Sequence, residues 1–176
     1  KVVVIGGGST ATDAARVSKR LGADVSILYR REKEQMPAGK AEIRDTEEEG
    51  ILIKYLTNPV EFVCTENEFQ IAVCQKVTLG DVDESGRPKP ILIDNSDFKI
   101  KADYLIEAIG QEPNLEGFDM HIFKITRANT FEVDEKFFTS VHNVLAGGDC
   151  VTGSKSVVDA VAQGKIIASQ IKILLK

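Results

Sequence analysis

The run Lys1 to Ile5 followed by Gly6-Gly7-Gly8 leaves little freedom in what the chain can build around it. Four β-branched residues in a row suit a central parallel strand buried on both faces, and the glycines end that strand abruptly. A helix follows, with Ala11, Ala14, Ala15, Ser18 and Leu21 recurring at helical spacing and Gly22 closing it. Asp24 to Tyr29 then reads as a second strand. Strand, helix and parallel strand must cross over right-handedly, so the first thirty residues predict an α/β fold with a central parallel sheet.

Further along, Lys40 to Glu49 has helical composition and stops at Gly50, and Ile51 to Tyr55 resumes as strand. Between Val60 and Ile100 the period changes to that of an antiparallel β-meander laid on the parallel sheet. A turn is expected at Glu66-Asn67-Glu68, with Cys64 read as opposite Phe69 and not Cys74. Ala102 to Gly110 returns as a buried strand, residues 114–142 are irregular, and Val144-Leu145-Ala146 reads as a brief buried strand. Ser156 to Leu175 is a helix opened by Ser156 and Asp159 at capping-box spacing.

Composition excludes more than it proposes. The 176 residues are enough for one good core, or for one domain and part of another. A net charge of -5 argues against general binding to nucleic acid or anionic membranes, and no apolar run approaches the roughly 20 residues of a membrane span. With no basic-then-apolar leader, the expected setting is cytoplasmic. Cys64, Cys74 and Cys150 include no Cys-x-x-Cys pair, which disfavours a disulfide framework, a zinc knuckle and a dithiol redox centre; all three read as small buried residues. His121 and His142 have no second ligand at useful spacing, so no metal site is expected.

Gly6-x-Gly8-x-x-Ala11 is the G-x-G-x-x-A form of the dinucleotide fingerprint. The glycines allow a tight turn and close approach of backbone to pyrophosphate, while Ala11 lets helix and strand pack closely. The phosphates would rest on the positive end of the helix that starts at Ser9 and Thr10. An NAD site needs an acid at the end of the second strand to accept from the ribose 2′-hydroxyl, but this chain has Arg30 and Arg31 there. Two guanidiniums can bind a 2′-phosphate, so NADP is favoured over NAD. The match of Tyr29-x-x-x-Lys33 to the catalytic pair of short-chain dehydrogenases sits at the adenosine end of such a site and is taken as chance.

Three stretches together resemble one family. Residues 2–38 are similar to the NADPH-binding segment of the glutamate synthase small-subunit family, a branch of the two-dinucleotide flavoproteins that includes the electron-input part of dihydropyrimidine dehydrogenase. "ADYLIEAIGQEPN", with Gly110, is similar to the crossover out of the NADPH domain, and "TSVHNVLAGGDCVTGSKSVVDAVAQGK" to the second FAD motif. The resemblance implies that residues 1–112 are an NADP(H)-binding Rossmann-like domain inserted in a split FAD-binding domain, of which residues 113–176 are the C-terminal part. It further implies that Gly148 and Asp149 lie at the ribityl or pyrophosphate region of FAD. The amides of Ser156, Val157 and Val158 would face the electron-rich edge of the flavin ring.

The implied activity is that of an NADPH-dependent flavoprotein oxidoreductase, moving hydride between NADP(H) and FAD and electrons on to iron-sulfur centres or a large catalytic partner subunit. Such a step needs no side-chain nucleophile or base, in keeping with the lack of a Ser-His-Asp, Cys-His or paired-carboxylate constellation. Glu42, Asp45 and Glu47 to Glu49 cluster, but as a solvated acidic face. Ser9 stands where the family often has Asp or Asn. The leading FAD fingerprint and the cysteine-rich iron-sulfur segments fall outside the sequence and are expected N-terminal to it, which would make Lys1 a boundary cut into a longer chain. On that reading the fragment binds NADPH weakly and FAD poorly or not at all. Val157, Val158, Val161, Ile166, Ile167, Ile171 and Leu174 make the last helix apolar over most of its circumference, so it should self-associate or find cover. Two other classes remain open: a stand-alone NAD(P) dehydrogenase, for which no catalytic His, Lys or Tyr is well placed, and a non-enzymatic nucleotide-sensing module, which would be expected to carry an acid where Arg30 and Arg31 stand.

Overall fold

The computed structural model describes residues 1–66, 68–83 and 86–175 and divides into two compact units, Lys1–Ile109 and Gly110–Lys176. The first unit is built on a four-stranded parallel sheet. Strands β1 (Val2–Ile5), β2 (Val25–Leu28), β3 (Leu52–Lys54) and β8 (Tyr104–Glu107) lie in the order β3-β2-β1-β8. Between them run helices α1 (Ser9–Arg20) and α2 (Lys40–Glu48). The left-handed glycines Gly22 and Gly50 end the two helices where the sequence has them.

Alternation along β1 divides the core. Val2 and Val4 join Ala11, Ala15, Ile27 and Ile43 in one buried cluster, where the helices pack. Val3 points the other way, into a second cluster with Leu28, Ala72, Cys74 and Ala102. The strand is therefore buried on both faces, and each fully buried Val, Leu or Ile contributes on the order of 1.5–3 kcal/mol.

The second cluster belongs to an antiparallel sheet formed by β4 (Thr57–Thr65), β5 (Glu68–Val82), β6 (Pro88–Leu92) and β7 (Phe98–Lys101). It is not a simple meander. The first half of β5 pairs with both β4 and β7 and its second half with β6, so β6 and β7 share one long partner instead of pairing with each other. Cys64 does sit opposite Phe69; of the turn expected at residues 66–68, Asn67 lies outside the described residues. Two expectations fail. β8 is an edge strand with Tyr104 exposed and not a fully buried one, because only β1 flanks it. Of the three cysteines only Cys74 is buried; Cys64 is exposed and Cys150 intermediate.

The second unit is mostly irregular, with isolated bridges Ile125↔Phe131, Val133↔Thr139 and Phe138↔Leu145. Val144-Leu145-Ala146 is thus one half-buried bridge residue with its neighbours, not a strand. Phe118 meets Phe123 and Phe131 edge-on, with centroids 5.9 and 5.2 Å apart, while Phe123 and Phe131 are tilted against each other at 5.0 Å. The four-residue α3 (Asp149–Thr152) was not anticipated; α4 (Val157–Leu174) was. Ser156 caps α4, its hydroxyl accepting from the Asp159 amide while the Asp159 carboxylate accepts from the Ser156 amide. No residue of α4 is fully buried, and Val157, Val158, Ile173 and Leu174 are all more than half exposed.

Candidate functional site

The three glycines of the first turn answer to three different demands. Gly6 has φ +136°, and a Cβ there would collide with the carbonyl oxygen of Ala108, so the close approach of the chain leaving β8 fixes this residue. A Cβ on Gly7 would enter the ring of Tyr29, whose hydroxyl donates to the Gln35 carbonyl at 2.6 Å. Gly8 is different: its φ of -92° suits any residue and nothing lies within 4 Å of where its Cβ would be. That vacant volume stands at the N-cap of α1, where the Ser9 and Thr10 amides have no intrahelical acceptor and the first turn carries no acid. Ala11 is fully buried, as close packing of helix on strand requires. Of the three glycines, Gly8 alone has open space where its Cβ would stand, beside the free amides of a helix N-terminus.

One carboxylate stands near this helix end. Glu42 Oε2, from α2, accepts from the Ser9 hydroxyl at 2.9 Å and from the Gly39 amide at 2.8 Å. The rest of the acidic cluster lies largely at the surface, as expected, with Glu47 and Glu48 exposed, and is tied into ion pairs. Glu49 accepts from Arg16 and Arg20, and its carboxyl is held below the ordinary range first by the Arg20 and then by the Arg16 hydrogen bond. Glu47 pairs with Lys33 at 2.6 Å and accepts from the Tyr55 hydroxyl at 3.3 Å. Burial, with Glu47 and Glu34 nearby, pushes the Tyr55 phenol up to about 12, so it remains a neutral donor.

At the end of β2 the structure separates two arginines that the sequence treats alike. Arg30 is exposed, and among the described residues its guanidinium has no hydrogen-bond or ion-pair partner. Arg31 is 2% exposed. Its Nη2 lies 2.6 Å from Asp83 Oδ2 and its Nε donates to the Pro88 carbonyl at 2.7 Å. The symmetric picture of two guanidiniums facing a ribose phosphate therefore departs from the structure at Arg31, which a partner 52 residues away has claimed.

In the second unit a hollow of about 390 Å³ is lined by Asp149, Lys155, Ser156, Val157, Ala160 and Val161. Asp149, Ser156 and Val157 of the expected FAD residues thus come together, while Val158 follows on the exposed first turn of α4. The Ser156 amide is already engaged by Asp159 Oδ2 at 3.4 Å, which leaves the Val157 and Val158 amides as the open donors of that turn. Gly148 has φ +77° and its amide donates to Gln163 Oε1 at 2.6 Å; a Cβ on Gly147 would meet Ile167 Cδ1 at 2.5 Å. Gly110 has φ +99° with nothing within 4 Å of its absent Cβ. Residues that sequence reasoning missed are Tyr29, Glu42, Asp83 and Gln163. Only Glu42 had a local signal, its spacing of three from Gly39 at the start of α2.

The family model described as "Pyridine nucleotide-disulphide oxidoreductase" matches residues 1–164. The chain belongs to this family. Among curated members it is 39% identical over 177 residues to the NADP(+)-dependent formate dehydrogenase subunit beta of Moorella thermoacetica, covering 99% of this chain and 25% of that one. It is 37% identical over 180 residues to the glutamate synthase [NADPH] small chain of Azospirillum brasilense, covering 99% and 37%. In fold this pyridine nucleotide-disulphide oxidoreductase chain is similar to the thioredoxin reductase of T. acidophilum, with a TM-score of 0.76 at 21% identity over 95% of this chain and 50% of that one. It spans about a quarter to two fifths of the length of these curated relatives. Among its described residues no helix is long and apolar enough to cross a membrane.

Proposed function

We propose that this chain is the NADPH-binding part of a flavoprotein oxidoreductase that transfers hydride between NADP(H) and FAD and passes electrons on to iron-sulfur centres or a partner subunit. The observation that carries the reading is the open space at Gly8 at the start of α1; the exposed Arg30 at the end of β2, without a side-chain partner among the described residues, supports it. Residues 1–112 are the NADP(H)-binding domain and residues 113–176 the C-terminal part of a split FAD-binding domain. Gly6, Gly8 and Ala11 shape the turn, the amides at Ser9 and Thr10 bind the diphosphate, and Arg30 selects the 2′-phosphate.

In the second unit Gly148 and Asp149 hold the polar part of FAD, and the Val157 and Val158 amides face its ring, Ser156 fixing the helix end. Gly110 belongs to the crossover segment that leaves the NADP(H)-binding domain. Nicotinamide and flavin supply the redox chemistry when bound; the chain's own residues bind, orient and exclude water. The outward apolar side chains of α4 are covered by an N-terminal FAD-binding and iron-sulfur region in the whole protein, and by self-association when the chain is alone. The setting is cytoplasmic, which suits three unpaired cysteines.

Two measurements test this. Anaerobic mixing of the whole protein with NADPH should bleach the flavin absorbance far faster than NADH does. Calorimetry with Arg30→Asp should show NADPH affinity reduced by roughly ten- to a hundredfold, the equivalent of one lost charge-assisted hydrogen bond of about 1.5–3 kcal/mol. Equal affinities for NADPH and NADH, or an indifferent Arg30→Asp variant, defeat the assignment.

A further inference from the structure

We propose that Arg31 is a positioning residue that locks the β5–β6 hairpin beside the end of β2, and that 2′-phosphate selection therefore falls to Arg30 alone. The proposal rests on the NADPH reading above. The Arg31 guanidinium is 3% exposed and already spends donors on Asp83 Oδ2 and the Pro88 carbonyl, on opposite arms of the hairpin. Its main chain is tied as well, the Arg31 carbonyl accepting from Leu56 at the start of the antiparallel sheet.

Asp83 is bound into the hairpin in its turn. Its amide donates to the Arg87 carbonyl at 2.8 Å, its carbonyl accepts from the Gly86 amide at 2.9 Å, and its Oδ1 accepts from the Arg87 amide at 3.4 Å. One carboxylate thus closes the hairpin with one oxygen and receives Arg31 with the other. For Arg31 to reach a ligand phosphate it would have to give up both the Asp83 carboxylate and the Pro88 carbonyl from a buried position. Removing one partner of a buried pair is more costly than an exposed arginine's change of rotamer. Arg30, solvated and uncommitted, meets no such penalty.

The test is the ratio of NADH to NADPH dissociation constants, measured by calorimetry on the whole protein, with thermal midpoints recorded alongside. Arg30→Met should lower that ratio by about tenfold or more. Arg31→Met combined with Asp83→Asn, which removes both charges together, should lower the thermal midpoint and keep the ratio within about threefold of the unaltered protein. If Arg31→Met prevents folding, Asp83→Asn alone, which keeps an acceptor for the Arg87 amide, must still leave the ratio in place. The proposal is overturned if the double variant loses preference as far as Arg30→Met does, or if Asp83→Asn raises the ratio by freeing Arg31 for the phosphate. An unaltered protein that binds NADH and NADPH equally overturns the NADPH reading too; a preference that depends on Arg31 overturns this proposal by itself.

Discussion

Replacing Gly8 with alanine should leave the fold intact and abolish most of the dinucleotide affinity, whereas the same change two residues earlier should destabilise the fold itself. The backbone at Gly8, with φ -92°, accepts alanine without strain, and the added methyl meets no protein atom within 4 Å. Its effect on stability should stay within about 0.5–1 kcal/mol, and it could be slightly favourable through the less flexible unfolded chain. The methyl enters the open space at the N-terminus of α1, where the proposed phosphate would approach. Displacing a phosphate far enough to break one charge-assisted hydrogen bond, at about 1.5–3 kcal/mol, weakens binding roughly ten- to a hundredfold. Gly6→Ala instead places a Cβ at φ +136° against the Ala108 carbonyl. About 1–2 kcal/mol for the left-handed backbone and about 1–3 for the clash give roughly 3 kcal/mol. For a chain of this size that lowers the melting temperature by on the order of 6–12 °C. Thermal denaturation and calorimetry with NADPH on the whole protein read both effects. Gly8→Ala binding NADPH as tightly as the unaltered protein would refute the idea that phosphate approaches there.

Other outcomes follow from single features. Cys74, buried and with its thiol pushed up to about 11 by desolvation, should resist alkylation at pH 8, while exposed Cys64 reacts first; rapid labelling of Cys74 in the native state would contradict the core placement. Glu42→Gln keeps the cap on α2 but removes a negative charge beside the proposed phosphate position, so NADPH affinity should rise severalfold at low salt, with the gain fading as salt is added. Asp159 is held below the ordinary carboxylate range by hydrogen bonds from Ser156. Because the folded-state value is the lower one, the contribution of this cap to α4 is complete above the ordinary value of about 3.9 and is lost as pH falls through the lowered one. NMR titration of the Asp159 carboxyl should show this, and Ser156→Ala should move the midpoint upward. Light scattering of the isolated chain should report association through α4, with Val157→Ser and Val158→Ser reducing it.

What could be read from sequence was what local chemistry dictates. β1, the glycine turn, α1 and β2 follow from hydrophobic period and from residues that stop helices, all within thirty positions. The cap on α4 followed from one spacing, whereas Thr65 pairs with Glu68 and so places Glu68 in the strand and not in the turn expected at 66–68. What escaped depends on residues far apart in the chain. Nothing near Arg31 announces Asp83, and nothing near Ser9 announces Glu42, 33 positions later. The pairing of β7 with β5 in place of β6 is set by the length of β5, which only the folded sheet reveals. At the candidate sites the residues carrying backbone demands, Gly6, Ala11 and Gly148, were legible as types; the side chains that occupy or hold neighbouring space, Tyr29 and Gln163, were not.

The ring of Tyr29 beneath Gly7 gives the molecule a built-in optical probe. The chain contains no tryptophan and three tyrosines, of which Tyr104 is exposed, Tyr55 is half-buried and Tyr29 alone is packed under the glycine turn. Ultraviolet difference spectra should therefore register occupation of the turn without any attached label. Tyr104→Phe and Tyr55→Phe would strip away the other two chromophores and leave the signal of a single ring.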